Sequence, residues 1–198
     1  MVCKLSTSAP RLILFAGHAG TGKSTLAKRA LPLIIEKTGE DFFFLDKDTV
    51  YGAFSAHVMK LTTQNPNDRD SPYYLENLQD WEYQGLIDIA RENLLLGVNV
   101  ILVGPFSKEI QSGRMFNAQE LGIPPQTSIQ IAWIDLDEME AKKRMEKRAD
   151  TRDEWKLTHW DQYAKRRTEP RTHAALHRFD NSIFNEDVFE KLIDDLVR

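Results

Sequence analysis

The chain has 198 residues, with 41% hydrophobic residues, 28% charged residues and a formal net charge of −4. These values are typical of one globular α/β domain, which is large enough to form its core without disulfides or a structural metal. The net negative charge argues against a protein built mainly to hold nucleic acid.

Apolar runs alternate with helix-like segments, which predicts a mostly parallel sheet covered on both faces. The predicted strands are residues 11–17, 42–46, 99–106, 128–136 and 174–179. The predicted helices are residues 22–37, 73–96, 139–148 and 186–197, and Gly39 is a candidate stop for the first of them. Residues 62–72 indicate a loop or insertion, and residues 149–167 indicate a charged helical segment.

Segments that bind ligands usually lie in loops connected to a rigid sheet. We therefore expect a single domain over residues 1–198, with a candidate acceptor-binding insertion at 62–97 and a candidate lid at 138–168.

Two features of the sequence indicate the cellular compartment. Cys3 is the only cysteine, which excludes an internal disulfide and favours a reducing environment. The first apolar run, residues 12–16, is too short for a signal-peptide core or a membrane span. We expect a cytoplasmic protein without membrane association, as a monomer or a homodimer.

Residues 17–24, GHAGTGKS, match the pattern G-x-x-x-x-G-K-[ST] at every fixed position. Glycines let the backbone curl so that several N–H groups face phosphate oxygens, and the following helix adds its positive end. Lys23 is placed to reach the β- and γ-phosphates, and the Ser24 hydroxyl to bind Mg²⁺. The alternative is a glycine-rich turn that binds nothing. The predicted nucleotide-binding residues here are Gly17, His18, Ala19, Gly20, Thr21, Gly22, Lys23, Ser24 and Thr25.

Two carboxylates, Asp46 and Asp48, follow the second predicted strand. In doubly wound sheets the carboxyl ends of strands line the ligand crevice, so both should open toward the phosphate-binding loop. We predict that Asp48 accepts the proton of an acceptor hydroxyl and that Asp46 supports the metal through a bound water. The alternative is that Asp48 only caps the following helix.

The predicted helix 139–148 carries Arg144 and Arg148 on one face, one turn apart. Guanidinium groups suit phosphate oxygens, so these two residues, with Arg152 beyond them, are candidates to contact phosphate and stabilise the transition state. The alternative is a solvated helix with ion pairs such as Glu140 with Arg144.

Two further signals leave alternatives open. Asp180 follows the fifth predicted strand, where it can contact the adenine or belong to an ordinary turn into a helix capped by Ser182 or Asn185. Aromatic side chains on the predicted helix 73–96 can form a stacking surface for the acceptor or pack internally. They are Tyr73, Tyr74, Trp81 and Tyr83.

The phosphate-binding loop, the sequence LDKD at residues 45–48 and the arginine segment together resemble the small P-loop kinases of the nucleoside-monophosphate-kinase-like fold. The chain looks closest to the zeta-toxin kinases, chloramphenicol phosphotransferase and the gluconate kinases. This resemblance implies a three-layer P-loop NTPase fold, a parallel sheet ordered 2-3-1-4-5, a helical lid, and ATP with Mg²⁺ as ligands. It also implies that Asp48 is the base and that Arg144 and Arg148 are lid arginines.

One position departs from that pattern. The third predicted strand ends in VGPF, where many relatives place an acidic residue, and Gly104 has no side chain to bind magnesium. Asp46 or Asp135 can take over this role, or Ser24 and water hold the metal.

The leading functional hypothesis is transfer of the γ-phosphate of Mg·ATP to a hydroxyl of a small molecule. One alternative is a nucleotide-binding regulatory ATPase with slow hydrolysis, which the missing acidic residue favours. Another is a polynucleotide 5′-end kinase, which the basic stretch at residues 142–178 permits.

Overall fold

The first strand of the sheet, β1 (Arg11–Ala16), is buried on both of its faces. Leu12 and Leu14 pack into one core layer, and Ile13 and Phe15 pack into the other. Successive side chains of a strand point to opposite faces, so burial on both sides produces a continuous apolar run instead of an alternating one. The computed structural model describes residues 9–198, and Cys3 therefore lies outside the described residues.

All strands of the sheet are parallel, and their order is β2-β3-β1-β4-β5. The other four strands are β2 (Phe42–Asp46), β3 (Asn99–Val103), β4 (Ser128–Asp135) and β5 (Leu176–Asp180). The predicted five-stranded parallel sheet and its strand order are confirmed. β3 ends at Val103 and not at residue 106, because Pro105 lacks an N–H group and Phe106 adopts a left-handed backbone with φ 48°.

The helices cover both faces of this sheet, and a separate group follows β4. Helices α1 and α10 pack on one face, and α4, α5 and α6 pack on the other, which produces three layers. The helices are α1 (Lys23–Thr38), α2 (Lys47–Thr63), α3 (Pro72–Tyr74), α4 (Asp80–Leu95), α5 (Ser107–Ser112), α6 (Ala118–Leu121), α7 (Glu138–Arg148), α8 (Glu154–Thr158), α9 (Trp160–Ala164) and α10 (Glu186–Leu196). A π-helical turn, Leu75–Gln79, joins α3 to α4.

Several predicted boundaries shift for identifiable reasons. Gly39 ends α1 with a left-handed φ of 67°, as predicted. The predicted loop at 62–72 is shorter, because α2 continues to Thr63 and Pro72 already begins α3, where its missing N–H is not needed. Helices α5 and α6 were not predicted, since segments of six and four residues are too short to show helical periodicity.

The segment after β4 has a small hydrophobic cluster of its own. Its buried members are Leu136, Ala141, Met145, Trp160 and Tyr163, and Ala19 of the phosphate-binding loop packs against them. The region predicted as a lid therefore lies directly against that loop. Across residues 9–198, no helix combines the length and the apolarity that crossing a bilayer requires.

Candidate active site

The loop between β1 and α1 is built on glycines that no other residue can replace easily. Gly17, Gly20 and Gly22 have φ values of 135°, 82° and 93°. A Cβ atom on Gly17 would lie 2.5 Å from the carbonyl oxygen of Ile134, and one on Gly20 would lie 2.8 Å from that of Ala141. Both the backbone conformation and the close approach of neighbouring chain therefore require glycine at these positions.

Lys23 is a half-buried cation that makes no ion pair with any residue in the described part of the chain. Its Nζ donates a hydrogen bond to the carbonyl oxygen of His18 over 2.6 Å. Burial lowers the Lys23 pKa to about 8, although the carboxylates of Asp48 and Asp46 act in the opposite direction. A desolvated ammonium group without a counterion favours an anionic ligand, and a phosphate tail meets that requirement.

Three residues distant in sequence hold the phosphate-binding loop in place. Asn181 donates from Nδ2 to the carbonyl oxygen of Thr21 over 2.8 Å. Arg144 donates from Nη2 to the carbonyl oxygen of Asn181 over 2.7 Å. On the other side of the loop, the amide of Ala19 donates to the hydroxyl of Tyr163 over 3.0 Å. The sequence has no signal for these contacts, because the Asn181 and Tyr163 bonds join residues 160 and 144 positions apart.

The His18 side chain contacts the segment that follows α9 and the ring of Trp133. Its Nε2 lies 3.0 Å from the carbonyl oxygen of Thr168, and its ring meets that of Trp133 edge to face, with 5.3 Å between centroids. Burial lowers the His18 pKa to about 4, so the ring is neutral at pH 7. The side chain thus anchors the segment that follows α9 to the loop.

A cavity of about 580 Å³ opens beside the loop. Most of the residues predicted from the sequence line it: His18, Ala19, Gly20, Gly22, Lys23, Ser24, Thr25, Asp46, Asp48 and Arg148. Four predicted residues are not part of this lining: Gly17, Thr21, Arg144 and Asp180.

The two carboxylates after β2 have separate tasks. Asp46 is the N-cap of α2, since its Oδ1 accepts the N–H of Asp48 over 2.9 Å, so the capping role considered for Asp48 belongs to Asp46. Asp48 instead pairs with Arg152 over 2.6 Å and with Arg69 over 3.4 Å. Partial loss of hydration opposes ionisation of Asp48, but the positive charges of Lys47, Arg152 and Arg69 outweigh it and lower the pKa. The carboxylate is therefore ionised at neutral pH, as a general base must be.

Arg144, Arg148 and Arg152 lie at different positions relative to the cavity. Arg148 lines the cavity, and its Nε donates to the buried carboxylate of Asp153 over 2.7 Å. Arg152 also lines the cavity, next to Asp48. Arg144 lies away from it and supports the turn after β5 through Asn181. The structure therefore brings Arg148 and Arg152 to the cavity beside the phosphate-binding loop, but not Arg144.

The turn after β5 lies beside a second cavity. Asp180 accepts hydrogen bonds from the N–H of Ser182 over 2.8 Å and from its hydroxyl over 2.6 Å. Asn185, one of the two candidates, is the cap of α10. Asp135 borders the second cavity and forms a two-bond pair with Arg178, with distances of 2.7 and 2.8 Å. Of the two carboxylates considered as the missing acidic residue, Asp46 lines the cavity of the phosphate-binding loop and Asp135 does not.

A buried polar network that sequence reasoning missed lies next to Asp48. Glu82, only 2% exposed, pairs with Lys47 and accepts a hydrogen bond from Ser55. The Tyr74 hydroxyl donates to Glu82 over 2.6 Å and accepts from Lys47 over 3.1 Å. The network ties the start of α2 to the helices that follow it. A signal was present, because Glu82 shares the buried stripe of α4 with apolar residues.

These residues fit a magnesium-bound triphosphate. The loop presents a helix start and the half-buried ammonium group of Lys23, which has no ion-pair partner among residues 9–198. The Ser24 hydroxyl and the Asp46 carboxylate are oxygen donors on the same cavity. Magnesium prefers such oxygen ligands and completes its shell with water and substrate phosphates.

Comparison with known proteins assigns the chain to a family. Residues 12–170 match the AAA domain family. A gluconokinase from Sinorhizobium meliloti 1021 is similar in structure, with a TM-score of 0.59, 16% identity, and coverage of 96% of this chain and 93% of that chain. No curated protein matches the sequence.

Two other solved structures are similar over nearly their full length. The APS kinase CysC of Mycobacterium tuberculosis, in complex with AMPPNP and APS, has a TM-score of 0.62 and 16% identity, covering 96% of this chain and 99% of that chain. Kti12 of Chaetomium thermophilum, in complex with ADP-AlF3, has a TM-score of 0.64 and 15% identity, covering 94% and 97%. At these identities the likeness shows the fold and not the reaction. The chain belongs to the AAA domain family and has the fold of the small P-loop kinases.

Proposed function

We propose that the chain is an ATP-dependent phosphotransferase that moves the γ-phosphate of Mg·ATP to a hydroxyl of a small molecule. The observation that carries this proposal is that Lys23 and Asp48 line one cavity. A half-buried cation suited to phosphate and an ionised carboxylate suited to a hydroxyl proton are thus available to one pair of substrates. The fold shared with a gluconokinase and with an APS kinase bound to AMPPNP and APS supports it.

In the proposed step, the acceptor oxygen forms a bond to the γ-phosphorus while the bond from that phosphorus to the β–γ bridging oxygen breaks, and ADP leaves. Asp48 takes the hydroxyl proton. The loop amides and Lys23 hold the phosphates, and Arg148 and Arg152 stabilise the charge that develops on the transferred group. Arg144, which the sequence made a catalytic candidate, takes a positioning role through Asn181.

Ser24 and Asp46 are the proposed magnesium-holding residues. The Oδ1 atom of Asp46 accepts the N–H of Asp48, which leaves Oδ2 for a metal-bound water. When bound, magnesium would neutralise part of the negative charge of the phosphates. We further propose that residues 62–97 recognise the acceptor and that residues 138–168 close over the nucleotide, because both regions contribute to the cavity wall.

One observation favours a second candidate function, a nucleotide-binding regulatory ATPase with slow hydrolysis. The strand β3 ends in front of Gly104, which offers no carboxylate, and Asp135 is already neutralised by Arg178. A weakly held metal would slow chemistry more than binding.

One experiment separates the two. The pure protein is incubated with Mg·ATP and panels of hydroxyl compounds, while ADP is followed by a coupled assay and products by mass spectrometry. A kinase forms one phosphorylated product per ADP in an acceptor-dependent reaction, whereas a regulatory ATPase forms ADP and inorganic phosphate only. Tight ATP binding without a phosphorylated product from any panel would exclude the phosphotransferase.

A further inference from the structure

Part of the cavity wall belongs neither to the phosphate-binding loop nor to the proposed lid. We call it the acceptor wall. The name refers to six of the residues in that part: Arg69, Gln79, Tyr83, Ser107, Lys108 and Glu109. The proposed function assigns the loop and the lid to the nucleotide, so the acceptor wall is available to the acceptor. The charges and hydrogen-bonding groups of this wall therefore indicate which class of acceptor can bind.

The cations at this wall already have partners within the protein. Lys108 lies 2.9 Å from a carboxylate oxygen of Asp80, and Arg69 lies 3.4 Å from one of Asp48. Positive charge at this end of the cavity is therefore largely neutralised before any ligand arrives. An anionic acceptor would find no unpaired cation here to compensate for its own desolvation.

Glu109 differs from these two cations in its partners. Across residues 9–198 its carboxylate makes no ion pair, and its buried Oε2 accepts no hydrogen bond. Burial, assisted by the charge of Asp80, raises the pKa of this carboxyl group. On the same wall the Nε–H of Arg69 is also buried without a partner. Unmet hydrogen-bonding groups of this kind are costly and gain most from a ligand that satisfies them.

We infer that the acceptor is a neutral polyhydroxyl compound, whose hydroxyl groups other than the phosphorylated one are recognised by Glu109 and Arg69. A hydroxyl both donates and accepts, so hydroxyl groups can satisfy the Glu109 oxygen and the Arg69 N–H together. A carboxylate or phosphate has no proton to donate to Glu109 and adds a second negative charge beside it. An ammonium group can donate to Glu109 but has no lone pair to accept the N–H of Arg69, which would stay unsatisfied. The inference rests on the proposed function, since it concerns the second substrate of the same site.

Three compounds of similar size and different charge test the acceptor class: glucose is neutral, gluconate is anionic and glucosamine is cationic, with sorbitol and myo-inositol as further neutral polyols. Transfer from Mg·ATP is measured by ADP release and mass spectrometry. We expect a kcat/KM for the best neutral polyol at least about tenfold above those for gluconate and glucosamine. A preference for either charged compound, or transfer to none of the neutral polyols, overturns the inference.

A variant pair tests the residue. Glu109→Gln keeps the size of the side chain but replaces one acceptor oxygen by a donor. We expect it to raise the KM of the neutral polyol about tenfold or more and to leave the Kd of Mg·AMPPNP unchanged. Glu190→Gln, the same change at an exposed position of α10 outside the cavity lining, is the matched control and should alter neither value.

The outcomes separate this inference from the proposed function. An unchanged polyol KM in Glu109→Gln, with thermal unfolding like that of the parent protein, overturns the role of Glu109. Efficient transfer to gluconate alone overturns the inference but supports the proposed phosphotransferase function. Mg·AMPPNP binding without transfer to any acceptor counts against the phosphotransferase itself.

Discussion

Arg152 and Asp48 are 104 residues apart in the sequence, and their side chains form an ion pair with 2.6 Å between Nη1 and Oδ2. The pair joins the turn after α7 to the first turn of α2. Arg69 reaches the other oxygen of the same carboxylate over 3.4 Å. The proposed base thus lies between guanidinium groups from the two regions that flank the cavity, and its protonation depends on both.

Replacing Asp48 by Asn removes the proposed proton acceptor and keeps the size of the side chain. We expect kcat for phosphoryl transfer to fall by about 10²–10⁴-fold, because a positioned general base contributes that much. The Kd of Mg·ATP, measured by calorimetry, should change little. Asp187→Asn, at an exposed position of α10, is the control and should keep full turnover. Turnover retained in Asp48→Asn removes this residue from the mechanism.

Arg152→Ala tests the charge that holds Asp48 ionised. Loss of this cation raises the Asp48 pKa toward its ordinary value, so the active, ionised fraction is lost at a higher pH than in the parent protein. The acid limb of the kcat/KM profile should therefore move to higher pH. Arg29→Ala, on α1 outside the cavity lining, should leave the limb in place. An acid limb that stays fixed or moves down contradicts the assignment of Asp48 as base.

The pKa of Lys23 predicts a pH dependence of nucleotide binding. The protonated amine is the form that attracts phosphate, and its pKa in the ligand-free protein is about 8. Binding should therefore be constant well below pH 8 and weaken as the pH rises above it, approaching about tenfold in Kd per pH unit. Calorimetry between pH 6.5 and 9.5 measures this slope. Lys23→Met should bind weakly throughout and lose the slope, while a Kd of the parent protein that stays flat to pH 9.5 would show that Lys23 is not the titrating contact.

Lys47 and Glu82 form a buried ion pair, and we expect its disruption to lower the stability of the protein strongly. Glu82→Ala leaves the Lys47 ammonium group buried without its counterion, so the free energy of unfolding should fall by about 3–5 kcal/mol. Urea denaturation measures the change. Glu76→Ala, exposed in the preceding turn, should stay within about 0.5 kcal/mol of the parent protein. A loss below about 1 kcal/mol in Glu82→Ala would indicate that the pair is not a structural element.

Substitution of Asn181 can distinguish support of the phosphate-binding loop from a general contribution to stability. Asn181→Ala removes the hydrogen bond to Thr21, which should lower the free energy of unfolding by about 1–2 kcal/mol and also weaken Mg·ATP binding. Asn185→Ala removes the cap of α10 and should cost about 1 kcal/mol of stability without changing the Kd. Equal effects of the two substitutions on the Kd would argue against a loop-supporting role for Asn181.

The local parts of the site could be predicted because each depends on neighbouring residues. A run such as residues 12–16 is apolar because both faces of β1 are buried, and the loop needs glycines at Gly17 and Gly20 because its backbone turns left-handed there. The position of Asp48 at the cavity also followed from its place after a strand. Its partner Arg152 and its buried neighbour Glu82 did not, since their contacts join residues far apart in sequence.

By itself, the sequence determined the parallel sheet, the strand order implied by resemblance, and the phosphate-binding loop, because periodicity and a fixed-spacing motif act over short stretches of chain. The tertiary structure alone decided which arginines line the cavity beside that loop: Arg144 and Arg148 lie one turn apart on α7, yet only Arg148 is part of the lining. The reason is packing. Arg144 is held by the carbonyl oxygen of Asn181 on the turn after β5, and no short-range pattern records which strand ends come together.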